Sequence, residues 1–123
     1  MQYLVDMKLR SPLGNPSPAE GVRFIENIIF PTLNRCRSLA SEGTIVAGGP
    51  AIGAIRLVFV AEADNPKTLE DAIMQLAIWP LAETAVIPLT TFGDRKQAVD
   101  GLRETLENRF SSPLNPVEEG TKP

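Results

Sequence analysis

Histidine is absent from the 123 residues of this chain, and cysteine occurs once, as Cys36. Without an imidazole, neither a Ser-His-Asp nor a Cys-His nucleophile can be assembled, and histidine-ligated zinc, copper or non-haem iron is excluded. A lone thiol cannot close an internal disulfide, which fits a reducing compartment. Aromatic residues make up only 6% of the chain, with a single tyrosine, Tyr3, and a single tryptophan, Trp79. Long apolar runs are missing too: nothing approaches the roughly 18 residues needed to span a bilayer. Asp6, Lys8 and Arg10 fall where a signal peptide would need an unbroken apolar core, so the expectation is a cytoplasmic protein with no membrane partner. Positive charge is thin. Twelve Lys and Arg face fifteen Asp and Glu, for a net charge of −3, and the densest basic group is Arg35-Cys36-Arg37. Neutralising phosphates needs clustered cations, so no nucleic-acid partner is expected.

What is present is enough for one domain. A chain of this length removes roughly two-thirds of its unfolded surface from water without disulfides or metal. Gln2 to Arg10 sets Tyr3, Val5, Met7 and Leu9 against Gln2, Leu4, Asp6, Lys8 and Arg10, and this period of two predicts a strand with one apolar face. A Pro- and Gly-rich loop, residues 11–16, leads to Ser17, Pro18 and Glu20, the spacing of a helix-opening capping box. The helix is expected to run to about Glu42 and end at Gly43, with Val22, Ile25, Ile29, Leu33, Cys36 and Leu39 or Ala40 as its buried stripe. At 1.5 Å per residue it would be about 39 Å long beside a strand of about 30 Å. Pro31 is therefore expected to kink or break it.

Thr44 to Ala61 reads as a central β-hairpin, with Gly48-Gly49-Pro50 as the breaker and Gly53 beyond it. Ile55, Leu57, Phe59 and Ala61 take one face, and Arg56, Val58, Val60 and Glu62 the other. Asp64 or Asn65 caps a second helix, whose stripe is Leu69, Ala72, Ile73 and Leu76 and which Ile78-Trp79-Pro80 stops. Glu83 to Leu89 is a fourth strand, placed at an edge by Pro88. A third helix is expected from Asp94 to about Phe110, capped by Asp94 and Gln97. The single α+β domain thus spans residues 1–110, and the proline-containing tail, 111–123, is expected to be disordered.

The order β-α-β-β-α-β with an added C-terminal helix is the ferredoxin-like plan, in which helices cover one face of an antiparallel sheet. Leu4, Val46, Val58, Val60 and Val86 are expected on or near the other face. An apolar outer face calls for a partner sheet, so a homodimer is expected, unless a one-residue slip in a strand exchanges its faces.

No motif declares a chemistry. Gly48 and Gly53 have the end spacing of a phosphate-binding loop, but Ala54-Ile55 stand where Lys and Ser/Thr are required, and no helix follows. Glu62 and Asp64 are explained by a strand end and a helix cap without a metal. The remaining candidates are charges on strands. Asp6, Lys8 and Arg10 share a face of the first strand, and Arg56 approaches from the third. Two readings stand side by side. Enclosed by a dimer, Asp6 could act as a general base while Lys8 or Arg56 holds an anion; alternatively, Asp6 and Arg56 form an ion pair that fixes register or dimer.

The strand Tyr3-Leu-Val-Asp-Met-Lys-Leu9, the Glu42-Gly43-Thr44 entry to the hairpin, Gly48-Gly49, and Leu76-Ala-Ile-Trp-Pro-Leu81 leading to Val86-Ile-Pro-Leu89 together resemble muconolactone isomerase-like proteins of the dimeric α+β barrel group. The resemblance covers roughly residues 1–95. It implies a homodimer and a pocket for a small organic acid or lactone, with Tyr3, Phe59 and Trp79 as candidate lining. It also implies isomerase-like proton transfer without a cofactor; the alternative is a noncatalytic binding or assembly protein built on the same dimer.

Overall fold

The computed structural model describes residues 1–11 and 14–111. The expected disordered tail therefore lies, beyond Ser111, outside the described residues. The chain divides into two compact units, Met1–Leu89 and Thr90–Pro123. Among the described residues no helix is long and apolar enough to cross a membrane.

The first unit contains strand β1 (Gln2–Leu9), helix α1 (Pro18–Phe24), a π-helical turn (Ile25–Ile29), helix α2 (Phe30–Ser41) and strands β2 (Ile45–Pro50) and β3 (Arg56–Glu62). Helix α3 (Pro66–Met74), a 3₁₀ turn (Trp79–Leu81) and strand β4 (Ala82–Leu89) complete it. The four strands are antiparallel in the order β2-β3-β1-β4. This is the ferredoxin-like α+β arrangement.

Pairing fixes the faces. Val5 stands between Phe59 and Val86, and Met7 between Leu57 and Thr84. Tyr3, Val5, Met7, Leu57, Phe59 and Ala61 are buried on one face, packed with Leu39 of α2 and with Leu69 and Ile73 of α3. The other face carries Leu4, Asp6, Lys8, Arg56, Val58 and Val60, joined by Ile87, the cross-strand partner of Leu4. Val86, expected on this outer face, pairs with Val5 and belongs to the helix-covered one. The fourth strand begins one residue earlier than expected, and its alternation puts Ala82, Thr84 and Val86 inward.

The hairpin differs from expectation at its glycines. Gly48, Gly49 and Pro50 do not form the turn; they pair with Phe59, Val58 and Leu57 inside β2, and the chain reverses over residues 51–55. The register shifts between Ile45 and Ala47, and Gly48 takes φ 93°. A Cβ on Gly48 would lie 2.3 Å from the Val58 carbonyl oxygen and 2.6 Å from Phe59 Cα. Only glycine fits a bulged strand that approaches its neighbour so closely.

The long helix starts as the sequence predicts. Ser17 Oγ accepts from the Glu20 amide at 3.2 Å, and Glu20 accepts from the Ser17 amide at 2.9 Å. These bonds hold the Glu20 carboxyl below its ordinary pKa. Pro31 produces neither a sharp break nor a loss of helix; the chain passes through the π turn instead, and the Phe30 amide donates to Ile25 O. Pro31 has no amide for Asn27 and crowds its carbonyl, and a wider turn just before it relieves both demands. The extra residue shifts the phase of everything upstream. Gly21 and Phe24 are half-buried, whereas Val22 and Ile25, expected inward, are exposed. Beyond the turn Thr32 and Leu39 are buried and Cys36 is half-buried, its thiol pKa raised by burial. The helix ends with the Gly43 amide donating to Ala40 O and the Thr44 amide to Leu39 O, a Schellman pattern at the expected glycine.

In the second unit, helix α4 (Phe92–Ser111) starts two residues before the expected Asp94. Thr91 caps it, its Oγ1 accepting from the Asp94 amide at 3.0 Å. Val99, Leu102, Leu106 and Phe110 lie along one stripe and are exposed.

Candidate functional site

Asn65 Oδ1 accepts from the Thr68 amide at 2.9 Å and, with Pro66 in the first turn, sets the start of α3. Leu69 and Ile73, one turn apart, then anchor the helix in the core. Thr32 Oγ1 accepts from the buried Ile78 amide at 3.1 Å and ties the segment after α3 to α2. The 3₁₀ turn that follows presents Trp79 and Pro80 and delivers the chain to β4, whose inward residues Ala82, Thr84 and Val86 face back toward α3.

These pieces line a hollow of about 670 Å³ that is open to solvent, with Arg10, Glu70, Trp79 and Val86 exposed along it. Leu69, Ile73, Trp79 and Val86 give it an apolar wall, and Arg10 and Glu70 supply the charged side chains. The volume lies in the range of small-molecule sites. Arg10 does not continue the face of Asp6 and Lys8 as period two predicts. Strand β1 ends at Leu9; the Arg10 amide donates to Leu81 O at 2.8 Å, and its Nη2 donates to Ala82 O at 3.1 Å. The side chain is thereby held against the start of β4. Among the described residues no carboxylate lies within 4 Å of the Arg10 guanidinium, Glu70 included. Thr84 Oγ1 is buried with no hydrogen-bond partner among the described residues, as is the Tyr3 hydroxyl.

The candidate residues read from sequence fall in three places. Asp6 and Arg56 meet on the outer sheet face as a two-point ion pair, with Arg56 Nε at 2.8 Å from Oδ1 and Nη2 at 2.5 Å from Oδ2. The Arg56 hydrogen bonds hold the Asp6 carboxyl below its ordinary pKa, with the Arg56 and Lys8 charges assisting, and Asp6 raises that of Arg56 in return. Such a carboxylate is a weak base at neutral pH. Lys8 shares the face and is exposed. Tyr3 and Phe59 are core residues on the opposite face, off the cavity wall. Trp79 lines the cavity.

Glu70 and Thr84 are not among the sequence candidates, and Arg10, expected on the face of Asp6 and Lys8, stands at the cavity instead. The alternation of Ala82, Thr84 and Val86 was the available signal for Thr84, and Glu70's position between Leu69 and Ile73 was the signal for that residue. The direction of Arg10 has no such signal, because strand periodicity fails one residue past a strand's end.

Sheet order, helix placement and cavity together define a ferredoxin-like α+β protein with a small-molecule-sized hollow between α3, the 3₁₀ turn and β4. Among solved structures, the chain has the fold of muconolactone isomerase: 22% identity, TM-score 0.59, covering 74% of this chain and 90% of that one. A second neighbour is 5-chloro-2-hydroxyhydroquinone dehydrochlorinase from Burkholderia phenoliruptrix, in complex with 2,5-dihydroxybenzoquinone, at 18% identity and TM-score 0.56 over 76% of this chain and 98% of that one. No family model and no curated protein matches the chain.

Proposed function

We propose that the protein is a cytoplasmic homodimer that binds a small organic acid or lactone in the α3–β4 cavity and catalyses isomerase-like, cofactor-free proton transfer. One observation carries this reading: an apolar hollow of about 670 Å³ holds a cation and a carboxylate that do not neutralise each other. In such a setting Glu70 is the general base. It takes a proton from a carbon conjugated through C=C to a carbonyl, the electron pair moves onto the carbonyl oxygen as a dienolate, and the proton returns at a different carbon. The double bond shifts, Glu70 is regenerated, and no oxidant is consumed. The two structural neighbours, named for a lactone and for a hydroxyhydroquinone, support ligands of this size.

The test is proton NMR of muconolactone in D₂O with the protein present. Solvent deuterium should enter the ring and the double bond should move, and Glu70→Gln should abolish both while leaving binding in place. Binding without exchange would favour the second reading, a noncatalytic binding protein on the same scaffold. The Asp6–Arg56 pair supports an assembly role over a catalytic one, because both carboxylate oxygens already accept from Arg56. Asp6→Asn should loosen the dimer and leave exchange intact; loss of exchange would return Asp6 to the chemistry.

A further inference from the structure

The arginines of the chain are not equivalent. Arg56 is held by Asp6, Arg103 by Asp100 and Glu107, and Arg35 by Glu42. Arg10 differs: its fixed contact is a backbone carbonyl, Ala82 O, which orients the guanidinium without cancelling its charge. It stands on the wall of the α3–β4 cavity, and the acidic side chain there, Glu70, is out of ion-pair reach. We infer that Arg10 is the specificity-determining residue of this cavity and selects monocarboxylates over neutral analogues and over dicarboxylates. The inference rests on the cavity being the ligand site.

The chemistry follows from what is left free. Nη2 gives one of its two hydrogens to Ala82 O, and its other hydrogen, together with the one beside it on Nε or Nη1, remains as a planar fork that suits a carboxylate where a lysine's point charge does not. The apolar wall of Leu69, Ile73, Trp79 and Val86 takes the carbon skeleton. Arg10 is exposed in the free protein, and a neutral amide or ester that displaces its water would supply no counter-charge in return. A second carboxylate on the ligand would meet Glu70, a like charge lining the same hollow.

Isothermal titration calorimetry on the full chain decides this with three probes of one skeleton: muconolactone, its primary amide, and the open-chain dicarboxylate cis,cis-muconate. The wild type should bind muconolactone at least tenfold more tightly than either of the others. Arg10→Gln should remove the preference over the amide, and Arg10→Lys, which keeps the charge but not the fork, should lose about tenfold in muconolactone affinity and keep part of the preference. Thermal melts of both variants check folding, and Arg10→Lys carries the test should Arg10→Gln fail to fold. Equal binding of acid and amide by the wild type would overturn the carboxylate assignment while leaving the cavity reading intact. Muconate binding as tightly as muconolactone would overturn the selection against dianions. An undiminished preference in Arg10→Gln would overturn the role of Arg10. If none of the three probes binds, both this inference and the cavity reading fall.

Discussion

A methyl group on Gly48 would overlap the backbone of β3 at 2.3 Å and 2.6 Å, at a φ of 93°. Gly48→Ala should therefore cost about 3 kcal/mol or more, whereas Gly53→Ala, at φ 83° but with open space around the new atom, should cost about 1 kcal/mol. Urea denaturation of the two variants separates steric contact from dihedral strain; equal losses would contradict the bulge. Tyr3 gives a prediction of opposite sign. Its hydroxyl is buried and without a partner among the described residues, so Tyr3→Phe should raise stability by about 1 kcal/mol, and a loss of that size would mean the hydroxyl is bonded. Asp6 acts through pH. Its carboxyl is held below the ordinary value of 3.8, so its contribution is complete above that value and is lost as the pH falls through 3.8 toward the lower folded-state pKa. In acid titrations, Asp6→Asn should flatten stability in that window and change nothing in its slope near neutrality. At this scale the sequence revealed which residues matter more readily than where they point. Asp6 and Arg56 were legible as a pair because β1 and β3 are regular, while Arg10 was not, since its direction is set by hydrogen bonds to Leu81 and Ala82 that no local pattern encodes.

Elements were legible wherever a local signal ends or starts them: Ser17 with Glu20, Asn65 with Pro66, and Gly43 all act at the positions their chemistry requires. The errors cluster where tertiary structure overrides periodicity. Pro31 predicts a kink or a break, but the π turn at Ile25–Ile29 absorbs it and moves the inward face upstream by one residue, which a fixed 3.6-residue period cannot register. Gly48-Gly49 predicts a turn because glycine pairs commonly form one; pairing with β3 instead makes it a bulge within a strand. The connection between helices has its own test. Thr32 is 2% exposed and accepts from the Ile78 amide, so Thr32→Val preserves shape but strands a buried N–H beside the segment that shapes the cavity. A loss of about 1–3 kcal/mol is expected, with the Ile78 amide losing hydrogen-exchange protection ahead of global unfolding. Unchanged protection there would detach Thr32 from the cavity's architecture.

For the whole molecule, the two faces of the sheet divide the work. The helix-covered face holds the core and, at its β4 edge, the cavity; the outer face presents Leu4, Val58, Val60 and Ile87 around the Asp6–Arg56 pair. The ferredoxin-like order was legible because each strand carries its own alternation, but the cavity was not, since it arises where a helix, a 3₁₀ turn and an edge strand fail to close on one another. An apolar outer face with an ion pair at its centre is suited to a second copy of the same sheet, where Val58 would be central, flanked in the sheet by Asp6 and Gly49. Val58→Glu places a second carboxylate directly across from Asp6 and puts an unpaired charge into the contact. Sedimentation velocity should show a dimer for the wild type and a monomer for Val58→Glu. The variant should keep its affinity for ligands of the α3–β4 cavity, because that cavity opens on the other face. A wild type that sediments as a monomer would remove the dimer, and a monomeric variant that loses ligand binding would mean the partner subunit completes the site.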